Sequence, residues 1–168
     1  MAREHVPTAA FWAVKPEHSL YYLATMGIYY VVPALLLLGL WPGLARRVRA
    51  SWWVVLGAAA ALALAFALTP PLRNYSIVET MGYFDKAVRV VLSDGPRMVL
   101  YYVLALGAIV ALMDDPLTFL LLGTNTAALL KSHVAWDKYA LPLLVLLWYL
   151  ASRGSRAQWS DRAEAPDQ

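Results

Sequence analysis

Residues 20–40 (LYYLATMGIYYVVPALLLLGL) run without one charged side chain. As a helix rising about 1.5 Å per residue, the stretch is about 31 Å long, which matches the hydrocarbon thickness of a bilayer. A cylinder this long and apolar on every side is matched by lipid, whereas a small water-soluble domain has too little interior to cover it. The rest of the chain agrees. Of its 168 residues 61% are apolar and 15% charged, where a soluble domain has about half and about a quarter. The expected fold is all-α, a multi-pass transmembrane helix bundle of about five spans with one amphipathic interfacial helix.

The apolar runs place the spans at 20–40, 52–68, 98–113, 117–130 and 139–151. The last three hold roughly 13–16 residues where about 20 is usual, so they need extension into their flanks, local thinning of the bilayer or partial re-entrance. Pro33 is expected to kink the first span. Tyr21 and Tyr22 at one end of it and Trp41 at the other read as interfacial belt residues. Residues 1–19 mix Arg3, Glu4, Lys15 and Glu17 before a run too long for a signal-peptide core, and read as an outward N-terminal segment. Residues 152–168 are polar, lack apolar period and read as a disordered cytoplasmic tail.

Between the second and third spans the chain is too polar to cross. Over 76–92, Ile77, Val78, Met81, Phe84, Val88, Val91 and Leu92 recur at spacings of three and four, with Glu79, Asp85, Lys86 and Arg89 on other faces. Two placements fit this stripe: a helix lying in the headgroup plane, or one packed on the outer mouth of the bundle. Asp85 and Arg89, one turn apart, read as a surface pair worth tenths of a kcal/mol.

The basic residues set orientation. Arg46, Arg47 and Arg49 crowd the loop after the first span, and Arg153 and Arg156 follow the last. With five spans these clusters share a side, which the positive-inside rule makes the cytoplasm, although more basic residues in total fall opposite. The N-terminus, 70–97 and 131–138 then face outward, in a prokaryotic inner or plasma membrane. An outward N-terminus without a signal sequence is natural for a piece whose upstream spans are missing, and the chain is expected to be the C-terminal part of a larger membrane protein. A net charge of +3, scattered along the chain, gives no nucleic-acid surface. There is no cysteine, which excludes disulfides, thiolate metal sites and cysteine nucleophiles.

The chemistry-bearing stretch is 131–142 (KSHVAWDKYALP), which sets His133, Asp137, Lys138 and Tyr139 at the outer mouth of the last span. An ammonium and a phenol there can hold a lipid phosphate, one by charge and the other by hydrogen bonding. They can equally anchor the helix end, with Lys138 snorkelling beside Trp136.

The string Trp136-Asp-Lys-Tyr-Ala-Leu-Pro142 before an apolar run resembles the (Arg/Lys)-Tyr-x-x-Pro element of polyprenyl-phosphate-dependent glycosyltransferases of the GT-C type, among them the protein O-mannosyltransferase-like and aminoarabinose-transferase-like enzymes. Pro16-Glu-His-Ser-Leu-Tyr-Tyr22, leading into a span that leaves through Trp41-Pro-Gly-Leu-Ala-Arg-Arg47, is similar to the middle of such enzymes. The resemblance covers most of 16–151 as short degenerate motifs. It implies a membrane enzyme that moves a sugar from a polyprenyl phosphate carrier to an acceptor on the outer face. Lys138 and Tyr139, with His133 and Asp137 beside them, would then bind substrate near the carrier's phosphate or the sugar, with His18 a poorer candidate. The family takes its catalytic acid from the first outward loop, which has no counterpart here, so the resemblance implies a fragment inactive alone, with no catalytic residue to name. No cofactor is expected, a divalent cation belonging to the catalytic half. The implied partners are membrane lipid, the polyprenyl-phosphate-linked sugar, and either a missing N-terminal half or a partner subunit.

The alternative is a small non-catalytic multi-pass subunit or scaffold; a transporter ranks last, with no charge clearly mid-membrane. Asp114-Asp115-Pro116 reads either as paired carboxylates for a cation or as a helix cap before proline. Thr124, Asn125 and Thr126 read as cross-helix hydrogen-bonding groups or, less simply, a transport site. Asn74-Tyr-Ser76 matches a glycosylation sequon.

Overall fold

The computed structural model describes residues 14–37, 41–71, 82–113, 115–131 and 137–150, and all regular structure among them is helical. The helices are α1 (Pro16–Leu37), α2 (Trp41–Ala50), α3 (Trp52–Leu68), α4 (Tyr83–Val91), α5 (Asp94–Leu112), α6 (Pro116–Leu129) and α7 (Leu141–Leu150). By length and composition α1 and α5 can each cross a membrane, and α2 with α3, bent by 92° between them, make a third span if counted together. These are the marks of a membrane protein. Among the described residues α6 and α7 are shorter than a full crossing.

Most boundaries follow from local chemistry. α1 starts four residues before the expected span because Pro16 sits at its first position, where a missing N–H costs nothing. α5 likewise starts at Asp94 rather than 98, the extended Ser93 and a first-turn proline setting it up. The region around Pro33 carries its irregularity one turn earlier, as a π-helical turn over Gly27–Val31 within the continuous α1. Such a turn widens the ladder where the proline withholds a donor. The basic stretch expected as a loop is the helix α2, whose exposed Arg46 and Arg49 lie in an otherwise mostly exposed amphipathic element.

The core is a parallel pair. Tyr21 meets Tyr101 edge-on at 5.8 Å between ring centres, and a Cβ on Gly107 would lie 4.0 Å from Val31 Cγ1, so α1 and α5 run in the same direction. Between these contacts Gly27 lies against the backbone of Leu104 so closely that a Cβ would overlap its carbonyl group. Ala24, Ala105 and Ala108, each 0% exposed, continue this small-residue seam. Without a hydrophobic drive between helices in lipid, close backbone approach of this kind supplies the association.

The remaining helices alternate in direction. Tyr102 donates to the Ala59 carbonyl at 3.0 Å and packs on Phe66, which runs α3 against α5. α6 returns to the start of α1, where Ser19 Oγ donates to the Thr126 carbonyl at 2.7 Å and Lys15 N–H to Leu130 at 2.7 Å. Trp148 near the end of α7 meets Tyr30 in the second half of α1. One end of the bundle, called the mouth below, therefore gathers the starts of α1 and α5 with the ends of α3 and α6. α3 is apolar all round, yet only Leu62 and Phe66 are buried, while Trp53, Val54, Leu64 and Leu68 are exposed. Such a surface belongs against lipid rather than water.

Candidate functional site

The mouth holds a buried polar network that sequence reasoning did not find. α4 packs on the first turns of α5, and Asp85, expected on its outer face, is 0% exposed. Its Oδ1 accepts from Tyr101 Oη at 2.5 Å, its Oδ2 from Arg89 Nε at 2.6 Å, and its N–H donates to Tyr21 Oη at 3.3 Å. Phe84 completes a triangle of rings with Tyr21 and Tyr101, 6.3 and 5.4 Å from them. The pair with Arg89 thus exists, but around a buried carboxylate with one donor on each oxygen rather than as a solvated surface pair. The expected stripe is rotated with it: Val91 is 79% exposed where the periodicity put it inward. α4 packs on the bundle mouth; 76–81 lie outside the described residues. Tyr21 and Tyr22 are also interior rather than belt residues, at 2% and 3% exposure. They miss the interface because the α1 face bearing them is the one α5 covers.

A second buried charge lies next to this network. Arg97, on the same face of α5 as Tyr101 and one turn before it, has a side chain 8% exposed and donates from Nη2 to Asp94 Oδ1 at 2.7 Å. Arg97 Nε and Tyr22 Oη have no hydrogen-bond partner among the described residues. His18 is buried in the first turn of α1, 1% exposed. Pro70, Pro71, Asp94, Gly95, Arg97 and Met98 line a cleft of about 340 Å³.

The residues singled out from sequence fall elsewhere. Lys138 and Tyr139 close a single 3-10 turn, Asp137–Tyr139, that leads into α7. Both are exposed, Lys138 with its ammonium 5.6 Å from the centre of the Tyr139 ring. Ala140, 0% exposed, pins the turn, and its carbonyl accepts the Leu144 N–H at 2.9 Å. Of Asp137 only the backbone is described, and His133, Asp114 and Asn74 lie outside the described residues.

Asp115 caps α6. Its carboxylate accepts N–H groups of Leu117 at 3.3 Å and Thr118 at 3.2 Å, and the Thr118 hydroxyl besides. That hydroxyl first, then the two amides, hold the carboxyl below the usual Asp range against the opposing effect of desolvation. Among the described residues no three His, Asp or Glu side chains gather as a metal site. Thr124, Asn125 and Thr126 turn their side chains back on the carbonyls of Leu120, Leu121 and Leu122, so the cross-helix bond is made instead by Ser19 to a backbone carbonyl. Comparison with known proteins finds no matching family, no matching curated sequence and no matching solved structure.

Proposed function

We propose that the chain is the C-terminal membrane portion of a polyprenyl-phosphate-dependent glycosyltransferase of the GT-C type, crossing the membrane five times with its mouth outward. In this reading Lys138 and Tyr139 meet the phosphate of the lipid carrier. The observation that supports it is the exposed cation and phenol at the start of α7, beside an apolar helix, in the Lys-Tyr-x-x-Pro string. A carrier of this class has an apolar chain that stays in the bilayer and a phosphate that sits at its surface. It needs an accessible donor pair at a helix end and an apolar flank below, and Lys138, Tyr139 and α7 supply both. The alternating helix directions favour five crossings, α6 and α7 reaching full depth through their flanks. The arginines of α2 then face the cytoplasm.

The test is retention of a polyprenyl phosphate by the purified chain in detergent, compared with the matching polyprenol by native mass spectrometry. The phosphate form is expected to be retained preferentially, and Lys138→Ala or Tyr139→Phe to weaken it by about tenfold, one charge-assisted hydrogen bond's worth. Equal retention of both lipids, or no effect of either variant, removes the site assignment.

A non-catalytic subunit is the second reading. It is favoured by Asp85 and Asp94, each of which is engaged by an arginine rather than held ready as a base. Sugar transfer by membranes carrying the chain together with its upstream gene products, lost on its deletion but unaffected by Lys138→Ala and Tyr139→Phe, would select it.

A further inference from the structure

We infer that the cleft at the start of α5 is a second anion site, taking a phosphate oxyanion on Arg97, and that Asp94 occupies its place when no anion is bound. The inference does not depend on the glycosyltransferase reading.

The argument begins with electrostatics. The first turn of a helix is its positive end, where four N–H groups lack intrahelical acceptors. At α5 this end is left open: Ser93 gives no side-chain cap, Pro96 has no N–H, and the Arg97 N–H turns back to the Ser93 carbonyl at 3.1 Å. Into the same turn the chain places a guanidinium, a cation where the helix favours an anion, and buries it to 8% exposure. Its Nε is buried without a hydrogen-bond partner among the described residues.

Among the described residues its ion-pair partner is the Asp94 carboxylate, which is 92% exposed. A salt bridge to so solvated a partner does little to compensate a buried guanidinium. A tetrahedral oxyanion entering the cleft of about 340 Å³ would take the bond that Arg97 Nη2 now makes to Asp94, at the positive end of the helix. Pro70, Pro71 and Met98 give the cleft apolar walls at the level where α3 ends and α5 begins. With α5 as a span, that level is the headgroup layer of the bilayer. The shared chemistry is a phosphate group, carried either by an anionic phospholipid or by a small phosphate in water.

The full chain in phosphatidylcholine nanodiscs, offered phosphatidylglycerol, tests this by native mass spectrometry, with inorganic phosphate titrated separately. Wild-type chain is expected to retain phosphatidylglycerol over phosphatidylcholine, and Arg97→Gln to lower that retention by about tenfold. Asp94→Asn removes the competitor while keeping the guanidinium, and is expected to raise it severalfold. Because Arg97→Gln could impair folding, Asp94→Asn decides by itself: tighter retention supports the site, and unchanged or weaker retention overturns it. Displacement of the lipid by millimolar phosphate assigns the site to small phosphates, and lack of displacement assigns it to the lipid headgroup. Full retention by a folded Arg97→Gln chain also overturns the inference.

Discussion

α5 meets an arginine at each of its ends, and the two are held in opposite ways. At its C-terminal end Arg47, reaching from α2, donates Nη1 to the Ala111 carbonyl at 2.5 Å. That carbonyl is among the last four of the helix, which lack intrahelical donors, and a cation there also suits the negative end of the dipole. At the N-terminal end Arg97 opposes the dipole and needs an anion. Both sites are basic, but one completes the helix and the other leaves a demand. At the mouth Asp94 faces Arg97, and Asp85 faces Arg89 and Tyr101. The lesson is that an arginine's worth depends on which helix end it meets, not on its being near a membrane surface.

The contrast can be broken most severely at Asp85. Replacing it with alanine takes the shared acceptor from Arg89 Nε and Tyr101 Oη, and is expected to lower stability by about 3 kcal/mol, the range for removing one member of a buried pair. Asp85→Asn, which can still accept from Tyr101, is expected to lose less. Unfolding of both variants by titration with a denaturing detergent reads the difference, and equal losses would mean the charge rather than the hydrogen bond holds α4 in place. At the other end Arg47→Ala removes one charge-assisted bond to a carbonyl that can find water. The expected loss is about 1 kcal/mol in the same assay. A loss as large as at Asp85 would erase the asymmetry.

Asp115 gives the smallest effect, as an exposed cap at the start of α6. Its carboxyl lies below the usual range in the folded chain, so its contribution is complete above the unfolded pKa of about 3.9 and is lost as pH falls through the lower folded value. Thermal unfolding across acidic pH should show a step that Asp115→Asn flattens. A step of the opposite sign would mean that the cap is not formed.

How much of this was legible in the chain varies by element. α3 was readable almost to the residue, because apolar length is a property of a short segment and lipid responds to it directly; α1 was legible in its apolar run but starts four residues earlier, at Pro16. The start of α5 was misplaced by four residues, since Asp94 and Arg97 look like loop residues until one sees that each offsets the other. α2 was missed as a helix because its arginines signal a cytoplasmic loop more strongly than its amphipathic period signals structure. The candidate pair Lys138 and Tyr139 was legible only as a motif, and its exposure at the foot of α7 became visible once the fold was known.

By itself the sequence determined that the chain is helical, apolar enough to enter a bilayer, and basic at the turn after its first span. These follow from composition within single continuous segments. Only the tertiary structure decided which face of α4 points inward. Periodicity put Asp85 outside because a lone carboxylate is too costly to bury. The carboxylate is met by Arg89, one turn on, and by Tyr101, 16 residues on, while Tyr21, 64 residues back, accepts the backbone N–H; no local pattern can show the two tyrosines brought in from that distance.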